Sequence, residues 1–97
     1  MIRHIVLIKW RDDLSADEMA EVRTRLDNLA NVSAVEVVAH GPSLGLGGVG
    51  VDYALTVDLE DATAFGAYLA DPIHDLAREI LPTAAAEVRA VQFKLPS

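Results

Sequence analysis

The sequence predicts an α+β domain in which an antiparallel sheet of four strands carries helices on one face. Two observations predict this fold class. Segments with strand-like alternation and helix-like spacing follow one another in the order β-α-β-β-α-α-β. The chain of 97 residues has the length of one domain, and 52% of its residues are hydrophobic, which supplies a core. We therefore expect residues 1–97 to form a single domain.

The first strand is predicted over residues 2–10, IRHIVLIKW, where β-branched and aromatic residues are dense. Successive side chains of a strand point to opposite faces of the sheet. His4 and Ile8 therefore share one face, and Ile5 and Leu7 share the other. Because both faces are apolar at the centre of this strand, each of them needs a cover.

The first helix is predicted to begin at Ser15, which forms a capping box with Glu18. In this motif the two side chains accept hydrogen bonds from backbone N–H groups that the helix leaves unpaired. An apolar stripe follows and predicts a helix that ends near Ala30 and Asn31. The residues of the stripe are Met19, Val22, Leu26 and Leu29.

The remaining elements are predicted from the same two periodicities. Strands are expected over residues 33–40, 51–59 and 86–95, and short helices over 61–70 and 72–81. The buried face of the first short helix is predicted to consist of Ala62, Phe65 and Leu69. The buried face of the second is predicted to consist of Ile73, Leu76, Ala77 and Ile80.

This order of elements is the ferredoxin-like arrangement, in which helices cover only one face of the sheet. The opposite face of the first strand is apolar as well, and a second copy of the sheet is its simplest cover. The sequence therefore predicts a homodimer formed through the sheet face, a dimeric α/β barrel.

The composition excludes several classes of function. A net charge of −7 argues against binding to nucleic acid or to anionic membranes. The chain has no cysteine, so disulfides, thiolate metal ligands and a cysteine nucleophile are excluded. No apolar run approaches the roughly 20 residues of a membrane span, and the first one is too short for a signal peptide. We expect a cytoplasmic protein.

The glycines from Gly45 to Gly50 match the pattern G-x-G-x-x-G. In the dinucleotide fingerprint the last glycines open a helix, whose N-terminus binds the pyrophosphate. Here they lead into the strand predicted over 51–59, and no Lys or Arg lies between Arg25 and Arg78. We interpret the segment as a flexible loop, which could close over the mouth of a pocket, and we expect no nucleotide cofactor.

The segment 68–77, YLADPIHDLA, contains the most informative pair of polar residues. Asp71 and Pro72 predict the start of a helix, because Asp is a favoured N-cap and Pro is tolerated at the first helical position. His74 then lies in the first turn, where the helix dipole keeps an imidazole neutral. The corner lets Tyr68 approach His74, as a general acid–base pair would require. Alternatively, these two residues only stabilise the corner.

The other two histidines are weaker candidates. His4 lies on an apolar strand face, where an imidazole is more often a hydrogen-bonded core group than a catalyst. His40 lies at the end of the second predicted strand, and we expect it to be solvated. The spacing of these residues and His74 does not support a metal site, so no metal is expected.

Several of these segments together resemble one protein family, the Dabb family of stress-responsive dimeric α/β-barrel domains. The segments are IRHIVLIKW, SADEM, VDYALTVDL with the acidic EDATAF after it, and YLADPIH. The resemblance covers nearly the whole chain and implies a ferredoxin-like protomer that pairs sheet to sheet. One family member is a plant polyketide cyclase, olivetolic acid cyclase, in which a Tyr and a His of a Tyr-x-x-His-Pro-x-His corner catalyse an aldol condensation without metal or cofactor.

The resemblance implies a site as well as a fold. The catalytic positions match Tyr68 and His74, and the histidine of the first strand matches His4. The first histidine of the corner motif is replaced by Asp71, which keeps the helix cap but removes any role of that histidine in a pocket. The substrate-binding residues that the resemblance implies are His4, Val6, Ile8, Leu55, Phe65 and Leu81.

Two functions remain open at this point. The first is a cofactor-independent cyclase or aldol-type enzyme that acts on an apolar, polyketide-like carbonyl compound through Tyr68 and His74. The second is a non-catalytic stress-responsive protein that serves as a structural or ligand-binding protein. A haem- or oxygen-dependent monooxygenase is supported only by analogy of fold.

Overall fold

The elements of the computed structural model, which describes residues 1–48 and 50–96, follow the predicted order. They are β1 (Ile2–Trp10), α1 (Ala16–Asp27), a short 3-10 helix (Asn28–Asn31), β2 (Val35–Pro42), β3 (Tyr53–Leu59), α2 (Ala62–Ala70), α3 (Pro72–Ala84) and β4 (Ala85–Lys94). The capping box of α1 is present, with the Ser15 hydroxyl accepting from the Glu18 N–H and the Glu18 carboxylate accepting from the Ser15 N–H. The predicted α+β class is confirmed.

The sheet is antiparallel throughout, with the strand order β2-β3-β1-β4. The two strands at its centre, β1 and β3, are paired so that His4 lies opposite Val57. On the other side of β1, His4 lies opposite Gln92 of β4. This register brings residues from the first and last strands to the same face of the sheet, which is the ferredoxin-like arrangement.

The core lies between the helices and one face of the sheet. The sheet contributes alternating residues of its two central strands, among them Val6 and Ile8 from β1 and Tyr53 and Leu55 from β3. The helices contribute the following buried residues: Val22 and Leu26 from α1, Tyr68 from α2, and Ala77 and Ala84 from α3. No helix among the described residues is long and apolar enough to cross a membrane.

The predicted buried face of α2 is only partly confirmed, because Phe65 packs against the core but Ala62 and Leu69 do not. Tyr68 is only 1% exposed, whereas Leu69 is 37% exposed and Ala62 lies at the surface. The helix turns its Ala64 and Tyr68 stripe to the core because burying a tyrosine ring removes more apolar area from water than burying a leucine. In α3, likewise, Ala77 is buried while Leu76 is exposed.

Several predicted boundaries also differ from the structure, among them the end of α1, which lies at Asp27. β2 continues through Gly41 to Pro42, because an edge strand tolerates a proline whose missing N–H faces away from the sheet. β3 begins at Tyr53 rather than at Val51. α3 continues past Pro82 to bury Ala84 in its last turn.

The face of the sheet that the helices leave uncovered is apolar at its centre. Ile5 lies opposite Val91, and Arg3 lies opposite Phe93 and Asp58. Val91 is 53% exposed and Phe93 is 45% exposed. Arg3 donates two hydrogen bonds to the Asp58 carboxylate, at 2.8 and 2.9 Å, so these two charges are paired with each other.

Candidate functional site

One residue, Asp71, forms the corner between α2 and α3. Its N–H donates to the Tyr68 carbonyl at the end of α2, and its carboxylate accepts from the Ile73 N–H, at 2.8 Å, at the start of α3. Pro72 occupies the first turn of α3, where its missing N–H would have no intrahelical partner. The predicted cap is therefore present, and the chain changes direction at this residue.

The corner brings Tyr68 and His74 into contact. Their ring centroids lie 4.6 Å apart, with an angle of 59° between the ring planes. The imidazole of His4, on the neighbouring strand, lies 6.1 Å from the Tyr68 ring. Three of the residues singled out from the sequence are thus gathered at one place.

These three rings line a cavity of about 140 Å³ between the sheet and the helices. The other lining residues are Val6, Leu26, Leu29, Leu55, Ala77, Arg78, Leu81, Val88 and Ala90. Four of the lining residues expected from the sequence do line this cavity, namely His4, Val6, Leu55 and Leu81. Ile8 and Phe65 do not. Ile8 is completely buried in the core, and Phe65 packs against the ring of His4.

Sequence reasoning missed the contributions of β4 and of the second turn of α3. Val88 and Ala90 lie opposite Ile8 and Val6 in the register of the sheet, so strand pairing would have placed them on the same face. Arg78 lies four residues after His74, and this helical spacing places the two side chains side by side. Both signals were present in the sequence.

Tyr68 is a buried phenol with an unused hydroxyl group. Burial raises the pKa of Tyr68 to about 12, so the hydroxyl stays protonated at neutral pH. Within residues 1–48 and 50–96, no group forms a hydrogen bond with this hydroxyl, and its oxygen is not among the enclosed polar atoms that lack a partner, so it is accessible from the cavity. A protonated phenol in this position is free to donate a hydrogen bond to a ligand in the cavity.

His74 is a neutral imidazole at neutral pH. Burial and the Arg78 guanidinium lower the pKa of His74, whereas the Leu69 carbonyl and the carboxylates of Asp75 and Asp71 raise it. The Arg78 Nη2 atom lies 3.2 Å from His74 Nδ1 and donates to the Leu69 carbonyl oxygen at 2.8 Å. The neutral state expected from the helix start is present, but burial is its main cause.

His4 is both a core residue and part of the cavity wall. Its Nδ1 atom lies 2.8 Å from the side-chain amide nitrogen of Gln92. Burial and, to a smaller extent, His74 lower the pKa of His4. The expectation of a hydrogen-bonded core imidazole is confirmed, although the same ring reaches the cavity.

The expectation that His40 is solvated is wrong. Its Nε2 atom lies 2.6 Å from the Asp27 carboxylate, and its Nδ1 atom lies 2.6 Å from the Tyr53 hydroxyl. His40 lies opposite Leu55 in the register of the sheet, so its side chain points toward the helices. The side chain is only 13% exposed. Among the described residues, no group of three or more potential ligands could hold a metal ion.

A larger depression of about 280 Å³ lies between α1 and α3. It contains none of the phenols or imidazoles and is lined by Asp17, Glu18, Glu21, Val22, Ile80, Thr83 and Ala84. Because acid–base chemistry at neutral pH needs groups that titrate near that pH, the smaller cavity with its two imidazoles is the candidate site.

The fold and this cavity define a ferredoxin-like domain with a small apolar site that contains a phenol and two imidazoles. The chain belongs to the Dabb family, the Stress responsive A/B Barrel Domain, whose model matches residues 2–95. No match was found among curated proteins.

Solved structures share the fold of this chain. A dimeric ferredoxin-like protein of unknown function from Thermobifida fusca is 37% identical, with a TM-score of 0.87 over 97% of this chain and 90% of that chain. A Dabb family protein from Mesorhizobium loti is 14% identical, with a TM-score of 0.81 over 99% of this chain and 97% of that chain. The hydroxynitrile lyase of Passiflora edulis is 20% identical, with a TM-score of 0.85 over 98% of this chain and 93% of that chain.

Proposed function

We propose that the protein is an acid–base enzyme that makes or breaks a carbon–carbon bond next to a carbonyl group in a small apolar compound. One observation carries the proposal: the unpartnered hydroxyl of Tyr68 and the neutral imidazoles of His4 and His74 line one apolar cavity. The Tyr68 side chain is only 1% exposed as a whole, but its hydroxyl oxygen is not enclosed and is therefore accessible to a ligand in the cavity.

The proposed reaction is of the aldol type and uses only groups of this chain. An imidazole takes a proton from the carbon next to the carbonyl, and the electron pair of that C–H bond forms an enolate. Tyr68 donates a hydrogen bond to the enolate oxygen, with His74 beside it as the second member of the pair. The enolate carbon then attacks a second carbonyl, and the resulting alkoxide takes the proton back from the imidazole. Proton transfer contributes about 10²–10⁴-fold and an oxyanion donor about 10²–10³-fold to such rates.

The cavity limits the size of the group that reacts. An apolar cavity of about 150 Å³ accommodates benzene, so a volume of about 140 Å³ holds a single ring or a short aliphatic chain. A longer polyketide-like chain, as expected from the resemblance to olivetolic acid cyclase, would have to extend out of the cavity. We therefore place the reacting carbonyl and one small apolar group inside it.

One structural neighbour gives the proposal chemical support. The Passiflora edulis protein is described as a hydroxynitrile lyase. In the cleavage of a hydroxynitrile, a base takes the hydroxyl proton, the carbonyl forms as the adjacent carbon–carbon bond breaks, and the departing cyanide takes the proton from the base. At 20% identity this likeness is one of fold, and the chemistry comes to this chain only as part of the proposal.

A second candidate function is non-catalytic binding of a small apolar ligand. It is favoured by the contact of Arg78 with His74 Nδ1, because this contact stabilises the corner whether or not a reaction follows. Such a protein would use Tyr68 to orient a ligand that accepts a hydrogen bond.

Two small probes test the enzymatic proposal. The wild-type protein is incubated with diacetone alcohol, whose retro-aldol cleavage gives acetone, and with mandelonitrile, whose cleavage gives benzaldehyde. We expect release of at least one product above the buffer rate, and its loss in Tyr68→Phe and His74→Ala variants that keep their circular dichroism spectrum. Release at the same rate from both variants would overturn the assignment of the pair. Saturable binding of either probe without turnover would favour the second candidate.

We also propose that two copies of the chain form a homodimer through the uncovered sheet face. The proposal is supported by the exposed Val91 and Phe93 and by the pairing of Arg3 with Asp58, which keeps these two charges matched when the face is covered. The 37% identical structure from Thermobifida fusca is described as dimeric.

A further inference from the structure

We propose that Arg78 holds His74 as a neutral hydrogen-bond donor, and that His4, supported by Gln92, is the imidazole that takes the proton from the substrate. This assignment rests on the proposed function, because it distributes the roles of that reaction among the residues of the same cavity. It makes Arg78 and Gln92 positioning residues and His4 a catalytic residue.

The first step concerns the proton on His74. A guanidinium group has five donors and no acceptor, so the nitrogen that faces Arg78 Nη2 at 3.2 Å must offer its lone pair. That nitrogen is Nδ1, which places the proton of the neutral ring on Nε2. The Leu69 carbonyl is a second acceptor near this ring, but it already accepts from the same Arg78 Nη2 at 2.8 Å. The opposite tautomer would set an N–H group of His74 against an N–H group of Arg78. With its Nδ1 lone pair occupied and its Nε2 protonated, His74 has no free lone pair with which to act as a base.

The second step concerns His4, whose partner is of a different kind. A glutamine side chain offers an NH₂ donor at one end of its amide and a carbonyl acceptor at the other. With the amide nitrogen placed 2.8 Å from His4 Nδ1, this atom accepts and Nε2 carries the proton. Rotation of the exposed Gln92 amide by half a turn puts its oxygen at the same place, so that Nδ1–H donates and Nε2 has a free lone pair. His4 therefore changes tautomer without losing its hydrogen bond.

These two constraints assign the roles in the cavity. The substrate C–H proton goes to His4 Nε2, and the electron pair forms the enolate. The O–H group of Tyr68 and the Nε2–H group of His74 donate to the enolate oxygen, and neither gives up its proton. After the carbon–carbon bond has formed, the alkoxide takes the proton from the His4 imidazolium, which restores the neutral ring. Neutral imidazoles are known to act as such donors when their surroundings keep them uncharged.

Nitrogen NMR of the imidazoles tests the tautomers without any substrate. The protein is labelled with ¹⁵N-histidine, and long-range ¹H–¹⁵N spectra are recorded above pH 7, with assignments from single His→Gln variants. We expect His74 with a protonated Nε2 in the wild type, and a loss of that preference in Arg78→Met. Arg23→Met removes one charge at a distance from the cavity and should leave His74 unchanged. A protonated Nδ1 on wild-type His74, or an unchanged spectrum in Arg78→Met, would overturn the proposal.

Turnover of either probe tests the roles separately. A glutamine side chain replaces an N–H donor but not an imidazole base, so His74→Gln should lose much less of the rate than His4→Gln. His4→Gln should lower the turnover rate by at least about 100-fold. It should also remove the acidic limb of the pH–rate profile, which reports the titration of the base. The reverse ranking of the two variants would make His74 the base. If the wild type turns over neither probe, the proposed function fails while the NMR result still decides whether Arg78 sets the tautomer of His74.

Discussion

The ring of Tyr68 contacts the imidazole of His74 across a corner in which Asp71 ends one helix and begins the next. Six residues separate the two side chains in the chain, and on one continuous helix they would point in different directions. Their contact therefore depends on the cap that Asp71 provides, and this dependence can be measured.

Replacing Asp71 with Ala should destabilise the protein and loosen the site. Loss of an N-cap side chain costs about 1 kcal/mol of unfolding free energy, as determined by urea denaturation. Asp61→Ala is a matched control, since the Asp61 carboxylate caps α2 by accepting from the Ala64 N–H at 2.9 Å. Both variants should lose similar stability, but only Asp71→Ala should change the His74 resonances. Equal shifts of those resonances in the two variants would show that the corner does not position the imidazole.

Replacing Tyr68 with Phe should leave stability within about 0.5 kcal/mol of the wild type, because no protein group among the described residues bonds its hydroxyl. Tyr68→Ala should cost about 3–5 kcal/mol, because it leaves a cavity in the core. Urea denaturation of the two variants distinguishes the contribution of the ring to the unfolding free energy from that of the hydroxyl. A loss of more than about 1 kcal/mol in Tyr68→Phe would indicate a structural partner for the hydroxyl and favour the non-catalytic function.

Stability should fall as the pH is lowered below about 6.5, the ordinary pKa of histidine. The folded state lowers the pKa of both His4 and His74, so below this value the unfolded chain binds more protons than the folded one. The contribution of these residues is complete above the unfolded pKa and is lost as the pH falls toward the lower folded values. Melting temperatures between pH 7.5 and 5 should show this slope, and a His4→Gln/His74→Gln double variant should flatten it. The same slope in the double variant would assign it to other groups.

Replacing Val91 with Arg should convert the proposed homodimer to a monomer. The charge would lie at the centre of the uncovered sheet face, opposite Ile5, where an interface would leave it buried and unpaired. Light scattering after size-exclusion chromatography gives the mass of each species. Leu44→Arg is the control, because Leu44 is 80% exposed in the loop before β3 and lies outside the sheet. A wild-type protein that elutes as a monomer would contradict the proposal at once.

Local signals in the sequence predicted the parts of the fold that depend on a few neighbouring residues. The capping box at Ser15 and the cap at Asp71 were found as predicted, because each needs only residues up to three positions away. The described residues of the glycine segment lie outside helices and strands, with positive φ angles at Gly45, Gly48 and Gly50, whereas Val49 lies outside the described residues and the expected flexibility stays a prediction. The possible closure of this segment over a pocket also remains a prediction.

The errors arose where distant residues decide the environment of a side chain. The orientation of α2 depends on how Tyr68 meets β1, and helical spacing alone does not distinguish the Tyr68 stripe from the Leu69 stripe. His40 is enclosed because α1 ends above it with Asp27, a contact between residues 13 positions apart. The pair Tyr68 and His74 was predicted because it lies within one segment, whereas Arg78 was overlooked although it lies in the next turn.

The hydrogen bond between His4 and Gln92 joins residues that are 88 positions apart, on the first strand and on the last. A chain emerging from the ribosome therefore has no complete cavity until β4 has been synthesised and has added to the edge of the sheet. Contacts of such long range form late, because closing a large loop costs entropy before the contact stabilises it. Any ligand of this cavity would thus bind only the fully folded chain and would favour the docking of its last strand.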